Sequence, residues 1–91
     1  MLRRRDVSMI SMYGADWCGD CRRTKSQLTE LGVEFEYLDV DADADYKTRA
    51  VEISGKPNIP VVVFPDKTHL VEPSDSDVEL KLRELNLIDQ V

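Results

Sequence analysis

Residues 15–23 read ADWCGDCRR and hold both cysteines of the 91-residue chain, Cys18 and Cys21, with Trp17 directly in front of the first. Before this stretch, residues 7–13 carry Met9, Ile10, Met12 and Tyr13, which predicts a strand buried on both faces. Gly14, Ala15 and Asp16 break it. After the stretch, Cys21, Thr24, Leu28 and Leu31 recur at helical spacing over about residues 18–31, and Gly32 is placed to cap the end. The cysteines therefore fall where a strand gives way to a helix.

Further out, residues 34–40 alternate polar residues with Phe35, Tyr37 and later Leu38 and Val40, a second strand. A second helix is expected over residues 43–54, with Tyr46, Ala50 and Ile53 inward and Gly55 after it. Pro57 and Pro60 bracket a loop leading into the apolar strand Val61, Val62, Val63, Phe64. Pro65, Asp66 and Lys67 make a turn, and residues 69–72 pair back as a hairpin. Ser74 with Asp77 reads as a capping box that opens a helix with Val78, Leu82 and Leu85 inward. The order is β-α-β-α-β-β-α, an α/β chain expected to form one domain over residues 1–91. A helical crossover makes the first two strands parallel, with the usual right hand, and the last two are antiparallel. Together they form a four-stranded mixed sheet covered by three helices.

Composition narrows the function classes. With 42% hydrophobic and 33% charged residues the chain is globular in type, and its net charge of −6 repels a nucleic-acid backbone. Arg3, Arg4 and Arg5 read as a solvated arm. No apolar run approaches the roughly 18 residues a membrane span needs, and no secretory leader is expected, since no apolar segment with a small-residue cleavage site follows the arginines. The expected address is the cytoplasm, and the expected state is a monomer with neither nucleic-acid nor membrane partners. In a reducing compartment a close cysteine pair serves catalysis or metal binding more often than stapling.

A helix N-terminus offers unpaired N–H groups and a dipole that favour negative charge, and a thiolate is the reactive form of cysteine. Residues i and i+3 of a helix face each other at about 5–6 Å, a span a disulfide bridges. Cys18 then attacks a disulfide and Cys21 resolves the mixed intermediate. Tetrahedral zinc needs four ligands, and His69 is the only other nitrogen or sulfur donor of the usual kind, so no metal site is assigned within the chain. The rival is a binding module whose cysteine pair holds a metal or cluster shared between chains. The acidic run at residues 39–45 fails as a calcium loop: a register from Asp41 places Tyr46 where the turn demands glycine. Those acids instead end a strand and favour the next helix's N-terminus.

WCGDCR after a strand and IPVVVF opening a later one resemble the thioredoxin-like superfamily and its glutaredoxin family, most closely the mycoredoxin type. The likeness runs over about residues 7–87. It implies a sheet in order 2-1-3-4, Cys18 as attacking thiol and Cys21 as resolving thiol. It also implies a cis bond before Pro60, which turns the Ile59 backbone toward an extended thiol substrate. The activity implied is thiol–disulfide exchange on disulfide-containing proteins or mixed disulfides. No cofactor is tightly bound, and a small thiol is the reductant. Glutathione-using members usually carry Gly-Gly before the last helix; KTHLVEPSDSD at residues 67–77 lacks it, which favours mycothiol over glutathione. Around the thiols, Trp17 shields Cys18 and offers a contact surface, while Asp20 opposes a thiolate. Arg22 and Arg23 offset that charge and attract a carboxylate-bearing thiol. Ser74 and Asp75, at the last helix's N-terminus, form an anion site where the thiol's carboxylate docks in related proteins.

Overall fold

A computed structural model describes residues 9–89; the arginine arm and the first residues expected in the opening strand lie outside the described residues. Four strands, β1 (Ile10–Gly14), β2 (Phe35–Asp39), β3 (Val61–Val63) and β4 (His69–Val71), alternate with three helices. The helices are α1 (Gly19–Glu30), α2 (Ala44–Ser54) and α3 (Asp75–Glu84). The sheet order is β2-β1-β3-β4, with β1 parallel to β2 and antiparallel to β3, and β3 antiparallel to β4. This is the expected mixed sheet.

Register explains how so short a chain closes two faces. One row across the sheet aligns Tyr37, Met12, Val62 and Leu70, and the adjacent row aligns Leu38, Tyr13, Val61 and Val71. Successive side chains of a strand point to opposite faces. The first row, with Ile10 and Phe64, packs beneath α1 and α3 against Cys21, Leu28, Val78 and Leu82. The second packs beneath α2 against Ala50.

Helix ends follow their local chemistry. At the end of α1, Gly32 takes φ +73, its N–H bonds the Thr29 carbonyl, and the Val33 N–H bonds the Leu28 carbonyl. Those two bonds make a Schellman motif, with glycine in the left-handed conformation that costs it least. α3 opens on the capping box: Ser74 Oγ accepts the Asp77 N–H at 3.1 Å, and an Asp77 carboxylate oxygen accepts the Ser74 N–H at 3.4 Å. Two expectations need correcting. Ile53 is 37% exposed rather than inward, because α2 lies on the sheet through Tyr46, Ala50 and Ser54, a strict i, i+4 line. Leu31 is 37% exposed because it is the C-cap residue, where the helix ends.

Candidate active site

At the C-terminal end of β1 the chain leaves the sheet through Ala15, fully buried, and Asp16 and Trp17, both exposed. The Cys18 N–H bonds back to the Ala15 carbonyl at 3.1 Å, closing a turn that delivers Cys18 as the N-cap of α1. In that position its sulfur accepts the Cys21 N–H at 3.4 Å, one of the donors that a helix start leaves unpaired. Cys18 is half-buried and Cys21 is buried completely, and both are free thiols. Burial, first, and the hydrogen bond to Cys18, second, push the Cys21 thiol up to about 12. A backbone hydrogen bond from Ala15 pulls the other way, and the charges of Cys18 and Asp20 add to the rise. The two sulfurs therefore differ in access, and Cys21 is a neutral thiol at pH 7.

Gly14 makes room for that arrangement. It stays in β1 rather than breaking the strand, and a Cβ on it would lie 3.0 Å from the Cys21 sulfur and 3.2 Å from the Cys21 Cβ. Helix α1 can press this close to the sheet because nothing projects from residue 14.

Across from Cys18, the Ile59–Pro60 peptide bond is cis, Pro60 is buried and Ile59 is half-buried where the two core clusters meet. The Pro60 carbonyl accepts the Glu72 N–H at 2.9 Å, which ties the loop to the end of β4. Between this loop, Trp17 and α2 lies a groove of about 200 Å³ whose walls include Trp17, Val51, Pro57 and Ile59. Lys47 and Lys56 also line it, and neither has a carboxylate partner among the described residues.

Trp17 is 69% exposed yet held, since its indole N–H donates to Asp41 at 2.6 Å. Asp41 is itself fixed, with its N–H on the Asp39 carboxylate at 2.9 Å. Nothing in the sequence flags this pair, 24 residues apart. It arises because the Val40 N–H bonds the Gly14 carbonyl, carrying the β2 exit alongside the β1 exit.

The charged neighbours divide. Arg22 donates to the Asp16 carbonyl at 2.9 Å. Arg23 reaches Asp20 at 2.9 Å, Asp75 at 3.2 Å and the Pro73 carbonyl at 3.0 Å. Ser74 spends its hydroxyl in the capping box, and Gln27 donates to the Asp75 carbonyl oxygen at 2.8 Å. On the opposite flank the Tyr37 hydroxyl donates to Asp16 at 3.2 Å, and Lys25 sits 4.0 Å above the Tyr37 ring. Burial, then the Asp16 bond, raises the Tyr37 phenol above its ordinary range. Cys18, Cys21, Trp17, Asp20, Ile59 and Pro60 thus gather at one end of the sheet, and Asp75 joins them through Arg23. Among the described residues no three His, Cys, Asp or Glu side chains gather as a metal-ligand set.

Comparison with known proteins agrees with this geometry. Residues 10–70 match the family described as Glutaredoxin. Mycoredoxin 1 of Corynebacterium glutamicum is 30% identical over 80 residues, which span 87% of this chain and 99% of that protein. Among solved structures, the glutaredoxin of Archaeoglobus fulgidus superposes with a TM-score of 0.73 at 28% identity, covering 87% of this chain and 90% of that one. The methanoredoxin of Methanosarcina acetivorans superposes with a TM-score of 0.75 at 28% identity, covering 82% and 84%.

Proposed function

Because this chain belongs to the glutaredoxin family, we propose that it is a thiol–disulfide oxidoreductase of mycoredoxin type, reducing protein disulfides or mixed disulfides through Cys18 and Cys21. The observation that carries the reading is the asymmetry of the two sulfurs. Cys18 is accessible at the amide-rich tip of α1, and Cys21 is buried behind it as a neutral thiol.

The exchange follows from that asymmetry. The Cys18 thiolate attacks one sulfur of a substrate disulfide; the new S–S bond forms as the old one breaks, and the departing sulfur leaves as a thiolate that takes up a proton. Two of the causes that keep Cys21 protonated are the hydrogen bond to Cys18 and the Cys18 charge. A mixed disulfide at Cys18 removes that charge and weakens that hydrogen bond, so Cys21 becomes easier to ionise once its partner is engaged. It then loses its proton to solvent and attacks Cys18, expelling the second substrate thiolate. Two electrons and two protons pass to the substrate and leave a Cys18–Cys21 disulfide. Two molecules of a small thiol, mycothiol or glutathione, return the pair to dithiol and leave as their own disulfide.

The groove bounded by Trp17 and Ile59 suits the thiol component, with Lys47 and Lys56 available for its polar end. Ser74 and Asp75, at the start of α3, lie outside the lining of that groove. No helix among the described residues is long and apolar enough to cross a membrane. In a coupled assay, Cys18→Ser is expected to abolish disulfide reduction. Cys21→Ser is expected to retain reduction of thiol–protein mixed disulfides and to lose reduction of intramolecular protein disulfides. Turnover by Cys18→Ser at more than a few per cent of the parent rate would falsify the assignment. Parallel assays with mycothiol and glutathione identify the reductant.

A further inference from the structure

Glu72 breaks two backbone rules at once. It takes φ +49, the left-handed region that suits glycine, and it directly precedes Pro73, where a residue is ordinarily held extended. The other two non-glycine residues of positive φ among the described residues have local reasons. Lys67 closes the β3–β4 turn with its N–H on the Phe64 carbonyl, and Asn86 lies just past the end of α3. What the conformation of Glu72 achieves is two bonds to one loop. Its N–H donates to the Pro60 carbonyl at 2.9 Å, and its carboxylate accepts the Asn58 side-chain amide at 3.1 Å. Asn58 and Ile59 line the groove beside Trp17, and Ile59 packs against the same buried cluster as Cys18. Among the described residues the Ile59 N–H and C=O make no hydrogen bond within the protein, so this short length of backbone can still pair. We propose that Glu72 is a positioning residue for substrate capture: from the end of β4 it clamps Asn58 and Pro60 on either side of Ile59, and so presets the Ile59 backbone to pair with an extended, disulfide-bearing segment of a protein substrate. The proposal rests on the exchange chemistry assigned to Cys18.

Fold stability does not account for the clamp. Glu72 and Asn58 are both exposed, and side chains in such places contribute little to folding. The bond from the Glu72 N–H to Pro60 is made by the backbone and needs no particular side chain. Glycine would occupy the left-handed backbone without steric cost, but it offers no carboxylate to Asn58. The strain is thus retained for the sake of the side chain, and backbone strain of this kind gathers where a loop must be held for binding. A loop already fixed receives an extended segment without first losing its own freedom, which is where the gain in capture arises.

The test uses Cys21→Ser protein, in which Cys18 is the sole thiol, and two mixed disulfides of thionitrobenzoate, one with a short uncharged peptide and one with 2-mercaptoethanol. In each, the Cys18 thiolate bonds the carrier sulfur, and the electron pair of the broken S–S bond leaves with thionitrobenzoate, whose colour is followed. Only the peptide is long enough to pair with Ile59, so the ratio of the two rates cancels changes in Cys18 ionisation and reports docking. The parent is expected to favour the peptide. Glu72→Ala and Glu72→Gly should lower the ratio roughly three- to tenfold, through loss of one charge-assisted hydrogen bond and of the order it imposes. Glu72→Gln, whose amide oxygen still accepts from Asn58, should keep most of the preference. Adding Asn58→Ala to Glu72→Ala should lower the ratio no further. In urea, the unfolding midpoint of Glu72→Gly should equal or exceed that of the parent. A parent without preference, unchanged ratios in the Ala and Gly variants, an additive double variant, or a Glu72→Gly midpoint that falls along with its ratio each overturns the proposal. If Glu72→Ala fails to fold, Glu72→Gly decides by the same measure. A poor nucleophile at Cys18 would slow both probes together in the parent, which counts against the exchange chemistry and leaves the ratio readable.

Discussion

Beneath α1 and α3, Ile10, Met12, Cys21, Leu28, Val62, Phe64, Val78 and Leu82 are shut from solvent, with both helices contributing buried side chains. Beneath α2 the sheet offers Tyr13, Leu38, Val40 and Val61, but the helix supplies one buried residue, Ala50, and leaves Val51 and Ile53 37% exposed. The sulfur pair is mounted on the dense face and the groove opens on the thin one. Regions with few buried apolar contacts open locally at lower cost. The division therefore puts fixed geometry around the sulfur pair and leaves adaptability at the groove.

The largest effect that tests this contrast is a cavity on the dense face. Leu82→Ala is expected to cost about 2–5 kcal/mol, as for other fully buried leucines. Val51→Ala on the thin face should cost less than about 1 kcal/mol. Urea denaturation compares them, and similar costs would break the distinction. A smaller effect is expected at the groove wall. Asp41→Asn removes the charged acceptor of the Trp17 indole N–H, so the emission of this single tryptophan should shift and KM for a small-thiol mixed disulfide should rise about two- to fivefold, with kcat unchanged. Unaltered emission would mean that Asp41 does not hold the indole. The smallest effect lies far from the sulfurs, where Asp66 at the β3–β4 turn accepts from Thr68 twice and pairs with Lys81 of α3 at 3.0 Å. The Thr68 hydroxyl bond, the Thr68 N–H and Lys81 together hold its carboxyl at about 2, below the ordinary 3.8. Its folded form gives up the proton more readily than its unfolded form, so its contribution is complete above pH 3.8 and is lost as pH falls through about 2. Asp66→Asn should flatten acid unfolding in that window and leave neutral-pH activity intact.

Most of the frame was legible because it rests on local rules. The apolar runs at Ile10–Met12 and Val61–Phe64, the Gly32 and Gly55 stops and the Ser74–Asp77 box each declare an element within a few residues of sequence. The cysteine spacing after a strand pointed to the family in the same way. What escaped were contacts fixed by register. Asp41 reads as one acid in a run of acids until the pairing of β2 with β1 sets it beside Trp17. Arg23 and Arg22 are indistinguishable until α3 arrives and offers Asp75 to one of them. Ile53 looked like core because the pattern of α2 fits two faces, and the helix settles on the one that seats Ala50.

Gly14 carries a consequence of its own. The depth at which the second sulfur rests is set by a hydrogen atom on a neighbouring strand, where every other amino acid has a carbon. A methyl group there would sit 3.0 Å from that sulfur, and the thiol would have to give by a few tenths of an ångström to accept it. The seat of the buried thiol is thus written in the backbone of β1, outside the cysteine motif itself.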